Sequence, residues 1–204
     1  MNNKEILIVC ALEQETQEEL NDWEPFADDP VWDILYTGVG KVNATLKLTQ
    51  RLQINRTLPP MPKLVINYGT AGSQSRRYSK GDLVDCTRFV QRDMDVTGLG
   101  FKLGQTPFEE DIPIILQSES EFNPIGKNAL CGSGDSFVDG DVEFGNIVDM
   151  EAYALAKVCR NYDVPFISFK YITDNANEHS VGDWNDNLGK GIVEFKEKIL
   201  KELK

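Results

Sequence analysis

His179 is the chain's single histidine, and that scarcity removes several chemistries at once. A histidine-rich zinc site cannot be built. A serine–histidine–aspartate triad would rest wholly on His179, which falls in a polar stretch with no nucleophile elbow beside it. It reads as a surface loop residue. The four cysteines, Cys10, Cys86, Cys131 and Cys159, include no CxxC pair, so no metal or dithiol motif is present. Cys10, Cys131 and Cys159 sit in apolar runs, which predicts buried free thiols and a reducing, cytoplasmic setting. No window approaches the roughly 20 apolar residues of a membrane span. The apolar run at Met1–Leu12 is too short for a secretion signal. Basic residues are the minority: 21 Lys and Arg against 33 Asp and Glu leave a formal charge of −12. That balance repels a phosphate backbone and argues against a nucleic-acid partner.

What remains is a chain of 204 residues, enough for a single domain (1–204) with a real core. No internal repeat or low-complexity linker interrupts it, and strand-like and helix-like patterns alternate. Strands are predicted at residues 5–10, 33–37, 63–68, 82–91, 113–117, around 127–131, 146–149 and 165–171. Helices are predicted at 13–22, 41–53 (with Val42, Leu46 and Leu52 at helical spacing), 150–162 and, as one amphipathic element, 185–203. The stretch Gly69–Gly72 reads as a small-residue turn after strand 63–68. The expected fold class is α/β, three layers with a mixed central β-sheet flanked by helices.

Ligands in such sheets bind beyond the carboxyl ends of strands. Glu13 and Glu15 follow strand 5–10, Gly69–Gly72 follows 63–68, Met150 and Glu151 follow 146–149, and Asp174 follows 165–171. Four separated segments thus converge on one rim. Gly38-x-Gly40 and Gly69-x-x-Gly72 match neither dinucleotide nor Walker phosphate loops and read as tight turns. The rim offers carboxylates, small-residue turns and apolar side chains, with no metal-ligand cluster. Carboxylates beside a sugar-sized cleft suit glycosidic cleavage, which needs an acid for the leaving group and a base for water. Any one such carboxylate at a strand end is more often a helix cap or a solvated residue. The residues by themselves reach as far as a small-molecule enzyme with acid–base carboxylates.

The ordered motifs go further. Ala11–Glu15 (ALEQE), Thr37–Val42 (TGVGKV), Ile66–Gly72 (INYGTAG), Gly81–Val84 (GDLV), Asp93–Thr97 (DMDVT), Ser133–Phe137 (SGDSF), Val148–Ala152 (VDMEA) and Ile172–Asp174 (ITD) occur in that order. The chain so resembles the bacterial methylthioadenosine/S-adenosylhomocysteine nucleosidases of the nucleoside phosphorylase superfamily. The resemblance implies that Glu15 activates the attacking water and that Asp174 hydrogen-bonds the purine and helps protonate the leaving adenine. Glu151 would hold the ribose hydroxyls, with Met150 beside the sugar. Thr70, with Gly72 in the same turn, replaces a serine near the water. Phe137 would stack on the purine, and Val138 would offer backbone groups to its edge. An apolar pocket for the 5′-substituent, partly supplied by a neighbouring subunit, would involve Val39, Val96, Leu99, Pro107 and Trp184. For Val39 and Val96 plain core packing stays open, and for Trp184 a helix-start anchor. The resemblance implies a purine-nucleoside ligand, a homodimer and no cofactor.

The chain departs from that pattern in places. Asp149 stands where glutamate is usual, and the shorter side chain reaches less far toward the ribose. Leu99 stands where an aromatic is usual. The stretches Thr97–Ser133 and Phe137–Val148 are compact, so substrate preference is open. Two alternatives stand beside the hydrolase. One is a phosphate-dependent phosphorylase, which needs a cationic phosphate site. Here the first turn, Glu13–Glu15, is acidic, and Arg76 and Arg77 lie beyond the second turn. The other is a non-catalytic nucleoside-binding protein.

Overall fold

A computed structural model describes residues 5–16, 32–109, 111–140 and 142–203. Eight strands pair into one mixed sheet: β1 (Ile6–Cys10), β2 (Trp32–Tyr36), β3 (Leu64–Ser73), β4 (Leu83–Gln91), β5 (Ile115–Gln117), β6 (Ala129–Ser133), β7 (Ile147–Asp149) and β8 (Phe166–Asp174). The order runs β2-β1-β3-β7-β6-β4-β5, and β8 pairs with both β3 and β4. β3, β7, β6, β4 and β8 therefore close into a ring, which leaves none of those five strands as an open edge. β3 is parallel to β1 and β8, whereas the β3–β7 and β4–β8 pairs are antiparallel.

Helices cover both faces, as the expected three layers require. On one side α1 (Lys41–Thr57) and α2 (Ala152–Asn161) join a cluster with Val65, Ala71, Phe89 and Ile172. On the other, α4 (Ile192–Lys198) packs Ile192 and Phe195 against Ile66, Tyr68 and Phe169. The period of two along β3 and β8 produces this division, since successive side chains point to opposite faces. Every residue of β8 is buried. Its near-continuous apolar run reflects cover on both faces.

Three local expectations are revised. Gly69–Gly72 is not a turn; β3 runs unbroken to Ser73, paired along β8 with a register shift at Ala71/Gly72. In α1 the buried face is Ala44, Leu48 and Leu52, at i, i+4 and i+8. Val42 and Leu46, expected on that face, are 75% and 50% exposed. The last element is not one helix: α3 (Ser180–Asn187) and α4 are separated at Leu188–Gly191, with a final 3-10 turn at Leu200–Glu202. Gly189 breaks the run with φ of 80°. The 13–22 helix is described only through Thr16, as a 3-10 turn at Glu13–Glu15, and its remainder lies outside the described residues. All four cysteines are buried and free, and no described helix is long and apolar enough to cross a membrane.

Gly191 fixes where α4 meets the sheet. A Cβ there would fall 2.3 Å from Cγ of Tyr171. Backbone and ring are in direct contact, so Gly191→Ala must push α4 away from β8. The expected cost is about 2 kcal/mol, read as a fall in Tm of roughly 4–8 °C by calorimetry.

Candidate active site

The carboxyl ends of the strands surround a cavity of about 320 Å³. Glu15, Glu151 and Asp174 all line it, as do Met150, Thr70 and Gly72. Phe137, Val138, Val39 and Trp184 complete the expected set on its walls. Val96, Leu99 and Pro107 are not part of the lining that this chain supplies. Leu99 sits in a short 3-10 turn (Thr97–Leu99) and is 76% exposed, so its side chain points to solvent rather than into its own cavity. His179 is an exposed residue just before α3. Arg76 and Arg77 are likewise exposed and away from the cavity.

Glu15 leaves the end of β1 in the 3-10 turn and is buried against β3. Its Oε1 accepts the Thr70 N–H at 2.8 Å and the Thr70 hydroxyl at 2.9 Å. Its Oε2 accepts the Leu12 N–H at 3.2 Å. Trp184, on α3, donates its indole N–H to the Thr70 hydroxyl at 3.1 Å. Trp184 is thus linked through Thr70 to Glu15 as well as forming wall. A Cβ on Gly69 would lie 3.2 Å from Oε1 of Glu15 and 3.3 Å from Nζ of Lys170. The glycine is what admits both charged ends beside the strand.

Asp174 closes β8. Its Oδ2 accepts the Thr173 hydroxyl at 2.8 Å and its Oδ1 the Ala176 N–H at 2.8 Å. A Cβ on Gly72 would come within 2.8 Å of Oδ1. Both glycines of the GTAG segment therefore make room for carboxylates rather than for phosphate.

Glu151 stands at the start of α2, with Oε1 accepting the Gly40 N–H at 2.8 Å. Gly40 has φ of 94°, a backbone shape that places the turn's N–H toward Glu151. Burial and the neighbouring Asp149 charge push the Glu151 carboxyl up from 4.5 to about 8.

Asp149 has a different assignment from the one its motif position suggests. Its Oδ2 pairs with Nζ of Lys170 at 2.8 Å and accepts the Ala152 N–H at 2.9 Å, while Oδ1 accepts the Ser133 hydroxyl at 2.6 Å. Burial opposes its ionisation, yet Lys170 and these hydrogen bonds hold it below the usual carboxylate range. Burial also opposes charge on Lys170, and the Asp149 carboxylate overrides it, raising the ammonium above its ordinary value. One charged pair and one protonated glutamic acid thus sit side by side at neutral pH.

Lys170 and Arg92 are the residues that the sequence reading missed. Lys170 had a signal: a lone charge inside the apolar run FISFKYIT. Arg92, which lines the cavity, carried none. Ala11, Leu12 and Val181 add apolar wall.

This fold is found in known proteins. A family model described as the phosphorylase superfamily matches residues 28–132 and 141–202. A 5′-methylthioadenosine/S-adenosylhomocysteine nucleosidase of Haemophilus ducreyi is 34% identical over 164 residues, spanning 72% of this chain and 68% of that protein. Among solved structures, a mutant Helicobacter pylori nucleosidase with 5′-methylthioadenosine in its active site matches with a TM-score of 0.79 at 25% identity, covering 99% of this chain and 100% of that one. The native futalosine hydrolase of Helicobacter pylori matches with a TM-score of 0.82 at 23% identity, covering 98% of each chain. The chain belongs to the phosphorylase superfamily and, within it, to the 5′-methylthioadenosine/S-adenosylhomocysteine nucleosidases.

The protonated state of Glu151 has a consequence for stability. Between pH 4.5 and about 8 the folded protein keeps a proton on Glu151 that the unfolded chain has released. This contribution is full below the lower value and is lost as pH rises through the upper one. Urea unfolding across that window should show this downward component in wild type, and Glu151→Gln should remove it. An unchanged slope in the variant would contradict the assignment.

Proposed function

We propose that this chain is an N-ribosyl hydrolase that cleaves the glycosidic bond of a 5′-modified adenosine and releases adenine. The carrying observation is the convergence of Glu15, Glu151 and Asp174 on one cavity, each at its own strand end. The similarity to a named nucleosidase supports the substrate class.

The roles in this reading are those the resemblance implies, and the geometry is compatible with them. Glu15 Oε1 already accepts two protein donors, whereas Oε2 accepts only the Leu12 N–H and keeps a lone pair for a water proton. Glu15 is the base that takes that proton as water attacks C1′. Asp174, held by Thr173 and Ala176 on its two oxygens, faces the purine and assists protonation at N7. The C1′–N9 bond breaks with its electron pair going to the base, and water supplies the new C1′–O bond. Glu151 orients the ribose hydroxyls, and the carboxylates of the rim favour the developing positive charge. Phe137 stacks on the purine, and Val138 meets its edge through backbone groups.

Water rather than phosphate is the acceptor in this reading. A phosphate dianion beside Glu15 would be repelled. Adenine release from 5′-methylthioadenosine, S-adenosylhomocysteine, 5′-deoxyadenosine and 6-amino-6-deoxyfutalosine in phosphate-free buffer tests it and ranks the 5′-groups. Ribose 1-phosphate as product, with no turnover without phosphate, would instead establish a phosphorylase. Binding without turnover over hours would establish a binding protein. Glu15→Gln and Asp174→Asn should each lose about 10²–10⁴-fold in kcat while still binding nucleoside. Full activity in Asp174→Asn would overturn its role.

The same proposal includes a homodimer in the cytoplasm. Val42 and Leu46 line a groove between α1 and α2, and Leu99 and Phe108 are 76% and 88% exposed. A second copy would cover this apolar surface, and its Leu99 and Pro107 would reach the 5′-end of the neighbouring cavity. Sedimentation should give twice the chain mass. Leu99→Asp should shift the protein toward monomer and raise KM for 5′-methylthioadenosine.

A further inference from the structure

Arg92 has no part in the chemistry above, yet it is built into the cavity wall. It follows β4 directly, and its N–H donates to the Ser133 carbonyl at 2.9 Å. Its guanidinium then folds over the next turn of chain. Nη1 donates to the Ser136 hydroxyl at 3.1 Å, and Nη2 donates to the Gly134 carbonyl at 3.3 Å and to the Ser136 carbonyl. Among the described residues, no carboxylate lies within ion-pair distance of Arg92, and its buried Nε has no partner. Its partners are all neutral acceptors of one short loop.

The loop is shaped to receive it. A Cβ on Gly134 would lie 2.7 Å from Cζ of Arg92, so the guanidinium rests against bare backbone. Asp93 secures the same loop from the other side, accepting the Asp135 N–H at 2.9 Å. Residues 134–138 have no helix or strand of their own. They nevertheless carry Phe137 and Val138 into the cavity.

We propose that Arg92 is a positioning residue for the purine side of the site. Its planar fork locks the 134–136 turn, so that the Phe137 ring and the Val138 backbone are set before the base arrives. The proposal rests on the reading of Phe137 and Val138 as purine contacts. A guanidinium presents several donors in one rigid plane, whereas an ammonium is a flexible point charge. The carbonyls of Gly134 and Ser136 need the former. A wall that is fixed in advance has less ordering to do on binding.

The test uses calorimetric titration with adenine, alongside kcat and KM for 5′-methylthioadenosine. Arg92→Gln should weaken adenine binding and raise KM by about tenfold or more, with a smaller change in kcat. Arg92→Lys should not rescue it. Gly134→Ala, which displaces the guanidinium, should reproduce the loss, and the Arg92→Gln/Gly134→Ala double variant should be no worse than Arg92→Gln alone. Wild-type adenine affinity and KM in Arg92→Gln, rescue by lysine, or additive losses in the double variant would overturn the proposal. Ser136→Ala, which removes only the hydroxyl acceptor, provides a milder variant should Arg92→Gln fold poorly; its expected loss is smaller and in KM, and no change in KM would count against the proposal. Wild type that does not bind adenine would bring down the purine reading itself, an outcome distinct from variants that bind like wild type.

Discussion

The buried pair between Lys170 and Asp149 is the contact on which most of the site depends. Taking two charges out of water costs several kcal/mol per ion, and only good geometry with further hydrogen bonds offsets it. Here those bonds come from the Ser133 hydroxyl and the Ala152 N–H. The pair therefore ties β8 to β7, β6 and the first turn of α2 in a single contact set. Those same elements present Asp174, Glu151 and the loop of Phe137. A change at either charge would leave the other buried without its partner and would disturb three walls of the cavity together.

The pair also decides where protons reside. Asp149 stays ionised because Lys170 and its hydrogen-bond donors face it. Glu151, buried beside that negative charge, keeps its proton to about pH 8. Two carboxyl groups from neighbouring positions of one motif thus adopt opposite protonation states, the pattern by which environments separate acid–base roles. The aspartate at 149 is then intelligible: its short side chain serves Lys170, Ser133 and the start of α2.

Much of this was legible in the sequence because it is local. Strand ends followed by Glu15, Glu151 and Asp174 can be read from periodicity, and the layer architecture follows from alternating patterns. What escaped depends on contacts between distant segments. The GTAG segment reads as a turn by composition, yet its glycines lie within a strand because Glu15 and Asp174 approach from elsewhere in the chain. Val42 and Leu46 fit helical spacing, but the residues that α1 buries are the smaller Ala44 with Leu48 and Leu52. The ring closure through β8 depends on pairing, which no single-strand pattern encodes. Leu99 and Pro107 were expected at the 5′-pocket from the family pattern, yet a single chain does not bring them to its own cavity.

The balance of charge in the cavity links these features to the reaction. Glu15, Asp149 and Asp174 line it beside a Glu151 that keeps its proton to about pH 8, with the cation Arg92 in its wall and Lys170 behind Asp149. Lys170 is paired to Asp149, and Arg92 is directed at loop carbonyls, so neither is committed to holding a dianion. A negative environment with its cations already engaged disfavours phosphate as the attacking group. It favours a sugar acquiring positive charge at C1′, because the stabilising charges are in place before the bond breaks. The glycines at 69 and 72 make this field possible by letting carboxylates approach the strand backbone. The hydrolytic reading therefore follows from how the sheet admits charge at its carboxyl ends, as well as from the identity of the three acids.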